Sequence, residues 1–143
     1  METTVVTSDF NTVQSIVIVD DNDTDIFIHQ QVLKVCGYHN KIHTYTKAKD
    51  ALAFLQECKG SAIPDILFLD IYMKEMDGFK FLEEYEKLPE EILKKCKVVA
   101  LSTSNDQRFV NAILQTEYVS HYLVKPLLEE KFLELLSLIN KSI

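Results

Sequence analysis

Hydrophobic and polar positions along the chain follow two periods that take turns. Short apolar runs of strand length, rich in β-branched residues, alternate with longer stretches whose apolar positions recur every three and four residues. The strand-like runs are Ser15 to Val19, Ile42 to Thr46, Ile66 to Leu69, Val98 to Leu101 and Tyr118 to Val124. The first, third and fourth are apolar almost throughout, as befits strands buried on both faces. Helical stripes lie between and after them: Ile28, Val32 and Val35; Ala48, Ala51, Leu52 and Leu55; Phe81, Tyr85 and Leu88. Two more follow, Phe109, Ala112, Ile113 and Thr116, then Leu128, Phe132, Leu135, Leu136 and Ile139. Each stripe reads as a core-facing surface.

Strict alternation of this kind predicts an α/β fold, a doubly wound five-stranded parallel sheet with helices on both faces. Parallel neighbours need crossover connections, and those put helices over the sheet. Ligands in such folds bind outside the carboxyl ends of the strands, where the strand order reverses. Residues 1–13 are polar and read as a flexible N-terminal arm, leaving 14–143 as one domain without repeats or linkers.

Composition narrows the picture further. The 143 residues are 47% hydrophobic with three glycines and three prolines, ample for a packed core. A formal charge of −7 disfavours direct contact with nucleic acid or an anionic membrane surface. Cys36, Cys58 and Cys96 form no CxxC pair, so neither a disulfide framework nor a thiolate zinc site is expected, and a cytoplasmic location is. No secretory signal is expected at the start, and no run approaches ~18 apolar residues. His29, His39, His43 and His121 lack ligand spacing and read as surface or satisfied residues.

The chemistry stands at the strand ends. The first strand runs into Asp20 and Asp21, the third into Asp70, the fourth into Ser102 and the fifth into Lys125 and Pro126. Adjacent acids at the end of a buried strand oppose each other's ionisation unless a cation joins them. An all-oxygen donor set of Asp20, Asp21 and Asp70 selects a hard ion such as Mg²⁺. Three carboxylates then balance Mg²⁺ and Lys125. Such a pocket can receive a phosphoryl group, with Asp70 as nucleophile, Lys125 neutralising oxygens and Ser102 donating a hydrogen bond.

Taken singly these residues have plainer readings. Asp21, Asn22 and Asp23 precede the first helix and Asp77 the third, all in capping positions, and Asp77 is read as a cap. Asp23 and Asp25 are read as first-turn acids that complement the helix dipole. Ser102 and Lys125 gain weight only from their joint placement beside the acids.

Four motifs carry a family resemblance: Ile-Val-Asp-Asp at 18–21, Leu-Asp-Ile-Tyr-Met-Lys-Glu-Met-Asp-Gly at 69–78, Ala-Leu-Ser-Thr-Ser at 100–104 and Tyr-Leu-Val-Lys-Pro at 122–126. Together they make the chain similar to the receiver domains of response regulators, including stand-alone chemotaxis and phytochrome-associated regulators. The resemblance implies a flavodoxin-like strand order, 2-1-3-4-5, and a single-domain response regulator of a two-component phosphorelay. Asp70 would accept a phosphoryl group from a sensor histidine kinase, and the only reactions catalysed would be this phosphorylation and its reversal. It further implies Asp21, Asp70 and the Tyr72 carbonyl as metal ligands, Asp20 holding the metal through water, Ser102 and Tyr122 as switch residues, and a cis bond before Pro126. Output would pass to a downstream protein target or a histidine phosphotransfer protein.

Five positions depart from the family pattern. Lys74 replaces a usual proline, Thr103 a frequent alanine, and Tyr118-Val119 a Gly-Ala pair, while Tyr72 brings a bulky phenol to the pocket mouth. Rival readings are weaker. A haloacid-dehalogenase-type phosphatase needs an acid where Tyr72 stands, a flavodoxin's phosphate would be repelled by Asp20 and Asp21, and no P-loop pattern exists. The alternative that survives is a phosphorylation-independent pseudo-receiver acting as a protein-interaction module.

Overall fold

The computed structural model describes residues 13–141, so residues 1–12 of the expected arm lie outside the described residues. Val13, the arm's last residue, is buried, and its carbonyl accepts a hydrogen bond from Asn40. Five parallel strands, β1 (Ser15–Val19), β2 (Lys41–Tyr45), β3 (Ile66–Asp70), β4 (Lys97–Ser102) and β5 (Val119–Val124), form one sheet in the order β2-β1-β3-β4-β5. This is the expected doubly wound architecture. The helices are α1 (Asp23–Val35), α2 (Ala48–Glu57), α3 (Gly78–Tyr85), α4 (Glu90–Lys95), α5 (Gln107–Leu114) and α6 (Glu129–Lys141).

Alternation along the central strands divides the core in two, because successive side chains point to opposite faces. Val17, Val19, Leu67, Leu69, Val98 and Ala100 face one layer, with Ala51 and Leu55 of α2, Phe81 and Tyr85 of α3 and Ile113 of α5. Ile16, Ile18, Ile66, Phe68, Val99 and Leu101 face the other, with Leu33 of α1 and Phe132, Leu135 and Leu136 of α6. β1 and β3 are buried along their whole length.

The helices differ from the sequence pattern in four places. The buried face of α1 is Ile26, His29 and Leu33, whereas Ile28 is exposed and Val35 is 65% exposed. The expected stripe was rotated because His29 counted as polar, yet it is a buried member of the apolar face, and its Nδ1 has no hydrogen-bond partner among the described residues. The third stripe is split: α3 ends at Tyr85, and Pro89, which has no N–H to donate, stands ahead of a separate short α4. Leu88 still joins the same core between the two helices. In α5 only Ile113 is fully buried, and Ala112 is exposed. Before α6 it is Leu127 that is buried, while Leu128 is exposed. All three cysteines are buried thiols, and no described helix is long and apolar enough to cross a membrane.

Candidate functional site

Two adjacent central strands bring the acids together. β1 and β3 pair in register from Ile16 with Ile66 to Val19 with Leu69, so Asp20 and Asp70 emerge side by side at the carboxyl edge. The ladder continues past β1, since the Asp20 N–H donates to the Tyr45 carbonyl at 3.0 Å. Oxygens of Asp20, Asp21 and Asp70 all lie within 4.8 Å of one another, with Asp20 and Asp70 buried and Asp21 more open. Asp21 Oδ2 accepts the Lys74 N–H at 2.9 Å. A proline at position 74, as the family resemblance would lead one to expect, could not make this bond.

Lys125 reaches this cluster from the end of β5. Its N–H donates to the Ser102 carbonyl at 2.7 Å, and the peptide bond to Pro126 is cis, as the resemblance implied. The ammonium lies 2.8 Å from Asp20 Oδ2, 2.9 Å from Asp25 Oδ2 and 3.3 Å from Asp70 Oδ1. Burial works against this charge, but the hydrogen bonds and charges of Asp20 and Asp25, with Asp70, overcome it and hold the Lys125 pKa above its ordinary value. Asp25, read from the sequence as a first-turn acid alone, is thus also a partner of Lys125. It adds a fourth carboxylate to a set that balanced with three.

Asp70 holds its charge against its surroundings. Burial first, and the Asp20 charge second, push its pKa up to about 6, against the pull of Lys125 and a hydrogen bond from the Tyr72 N–H. Two buried carboxylates sharing one ammonium make a place for a cation, and an all-oxygen set of this spacing fits a hard divalent ion.

Ser102 closes β4, fully buried, one residue beyond the Leu101 that pairs with Asp70. Its Oγ accepts the Ser104 N–H at 3.1 Å. The Tyr122 hydroxyl donates to the Ser104 carbonyl at 2.7 Å, so the two expected switch residues engage the same short loop. Phe109 joins this region to the mouth of the site: it meets Tyr122 edge-on at 6.3 Å and stacks on the exposed Tyr72 ring at 5.2 Å. A groove of about 280 Å³ opens beside Asp21, lined by Thr46, Lys47, Met73 and Lys74 among others.

The capping assignments also hold. Asn22 caps α1 by accepting the Asp25 N–H, and Asp77 caps α3 by accepting the Lys80 N–H. Sequence reasoning missed the Asp25–Lys125 contact and the burial of His29. For Asp25 the local reading as a first-turn acid was sufficient, and its contact with Lys125 shows only in the fold.

Comparison with known proteins bears on the family and the fold. Residues 16–137 match the model of the response regulator receiver domain. Response regulator Rcp1 of Synechocystis sp. is 32% identical over 113 residues, which are 77% of this chain and 75% of that protein. Two-component response regulator ARR12 of Arabidopsis thaliana is 33% identical over 76% of this chain, a match spanning 16% of its own length. A receiver protein from Dyadobacter fermentans superposes with a TM-score of 0.78 at 29% identity, covering 86% of this chain and 94% of that one. The Mn(2+)-bound form of Rcp1 superposes with a TM-score of 0.65 at 26% identity, covering 90% and 92%.

Proposed function

From the premise that this chain belongs to the response regulator receiver domain family of two-component signalling, we propose that it accepts a phosphoryl group on Asp70 from a phosphohistidine of a sensor histidine kinase. The observation that carries the reading is the Lys125 ammonium held between Asp20 and Asp70, beside a third carboxylate, at the end of the two central strands.

In this reading the P–N bond of the phosphohistidine breaks as an Asp70 oxygen forms a P–O bond, and the imidazole leaves with the bonding pair and takes up a proton. Asp70 is aimed by β3 and by the Tyr72 N–H on its carboxylate. Lys125 supplies a positive charge to the incoming oxygens, and Ser102 supplies a hydroxyl at the edge of the pocket. Asp21, Asp70 and the Tyr72 carbonyl would hold Mg²⁺, with Asp20 acting through water. When bound, the ion adds charge neutralisation on the phosphoryl oxygens. The groove beside Asp21 gives a donor a route of approach.

The added negative charge on Asp70 would draw Ser102 towards it, and Tyr122 and the α5–β5–α6 face would respond. Output then passes by protein contact or by onward transfer to a histidine phosphotransfer protein. The family consists of signalling phosphoacceptors, so no turnover of an external substrate beyond the phosphodonor is proposed.

Incubation with acetyl phosphate and Mg²⁺, followed by intact mass measurement, tests the proposal. A gain of one phosphoryl mass is expected in the parent and not in Asp70→Asn. Equal behaviour of the two proteins, or no gain in either, would remove Asp70 from its role and leave the phosphorylation-independent interaction module as the reading.

A further inference from the structure

An ammonium group has three N–H donors, and all three of Lys125's directions are spoken for. Asp20, Asp25 and Asp70 each place an oxygen within 3.3 Å of Nζ, and the contact to Asp70 is the longest. A phosphoryl group on Asp70 brings further anionic oxygens to the same place. Lys125 can serve them only by releasing a partner.

Which partner leaves is decided by the cost of desolvation. The Asp20 side chain is 1% exposed and both its oxygens are engaged, one by Lys125 and one by the Asn22 N–H at 2.9 Å. Parting it from the ammonium would leave a buried carboxylate short of its counter-charge, an expensive state. The Asp25 side chain is 34% exposed, so water can take the place of Lys125 at little cost. Its main-chain N–H is held separately by the Asn22 cap, so α1 does not depend on where its carboxylate points.

We propose that Asp25 is a positioning residue that holds the Lys125 ammonium in reserve, and that it is the partner Lys125 gives up when Asp70 carries a phosphoryl group. The inference rests on the reading of Asp70 as the acceptor. Asp25 makes the resting site more negative than the three strand-end acids alone would. It therefore strengthens cation binding and opposes arrival of an anionic group.

These opposite effects give the test its discriminating power. Beryllofluoride affinity is measured by fluorine NMR at saturating Mg²⁺, and Mg²⁺ affinity separately by NMR titration without beryllofluoride. Asp25→Asn is expected to bind beryllofluoride about three- to tenfold more tightly and Mg²⁺ more weakly, the scale set by one unit charge a few ångströms away in a partly wet site. Asp25→Glu should return both towards the parent. Asp23→Asn removes the same charge from the same helical turn without touching Lys125, and should change either affinity by less than about twofold. Should Asp25→Asn not fold, Asp25→Ser carries the same expectation.

Loss of both affinities together in the Asp25 variants would mean a structural role and overturn the proposal, as would an unchanged beryllofluoride affinity or an Asp23→Asn that reproduces the effect. If the parent protein with Mg²⁺ binds no beryllofluoride, the acceptor reading of Asp70 falls and this inference falls with it. A parent that binds beryllofluoride while the Asp25 variants do so no more tightly overturns the inference alone.

Discussion

Asp70 sits where its own charge is unwelcome, and that makes this carboxylate a source of instability in the metal-free protein. Its pKa is raised to about 6 by burial and by Asp20, above the ordinary value of 3.8 for this carboxyl. Below about pH 3 the carboxyl is neutral in both folded and unfolded chains, and no penalty exists. Between pH 4 and 6 the folded chain keeps a proton that the unfolded chain releases, so stability falls as pH rises through this window and stays low above it. Replacing Asp70 by Asn should therefore stabilise the metal-free protein by ~1–2 kcal/mol at pH 7.5. Urea unfolding at pH 7.5 and pH 3 checks this, with the difference expected to vanish at the lower pH. Strand-end position made Asp20, Asp21, Asp70, Ser102 and Lys125 legible in the sequence. Asp25 was not, because a first-turn acid has a sufficient local explanation, and only the fold carries a lysine a hundred residues away into its reach.

At the scale of elements, the segment between β3 and α3 is fixed by a close approach that one glycine permits. The Gly78 N–H donates to the Ile71 carbonyl at 2.8 Å, and a Cβ at position 78 would stand 2.6 Å from Ile71 Cδ1 and 2.9 Å from its Cα. The Cα cannot give way by turning a side chain. Gly78→Ala should push Ile71 away and cost ~1–3 kcal/mol of stability, measured by urea unfolding. Because Ile71 adjoins Asp70, the same variant should take up phosphoryl groups from acetyl phosphate more slowly than the parent. Asp77 was visible in the sequence as a helix cap, but the service of Gly78 to the loop after Asp70 needed the backbone. The α1 face and the α3–α4 break were misread for local reasons: a histidine that behaves as core, and a proline set in a stretch that the apolar spacing alone ran together.

At the scale of the molecule, alternation of apolar runs and helical stripes was enough for the sheet and its two covering layers. The strand order needed the family resemblance, since periodicity does not say which strand neighbours which. That order matters for stability as well as for the site. β1 and β3 are flanked on both sides and buried on both faces, so amides from Leu67 to Asp70 should open only with global unfolding. Hydrogen exchange followed by NMR should find them among the slowest, with β2 and β5 exchanging faster.

β5 has a hydrogen-bonded neighbour along one flank only, and its side chains from His121 onwards are half-buried. Tyr122 and Lys125 are both carried there, or just past its end, while Asp20 and Asp70, which Lys125 meets, are anchored at the centre of the sheet. A change of charge at Asp70, as proposed, would thus meet a stiff base and a compliant rim, and the work it did would be delivered outward, to the flank of the sheet that no further strand covers.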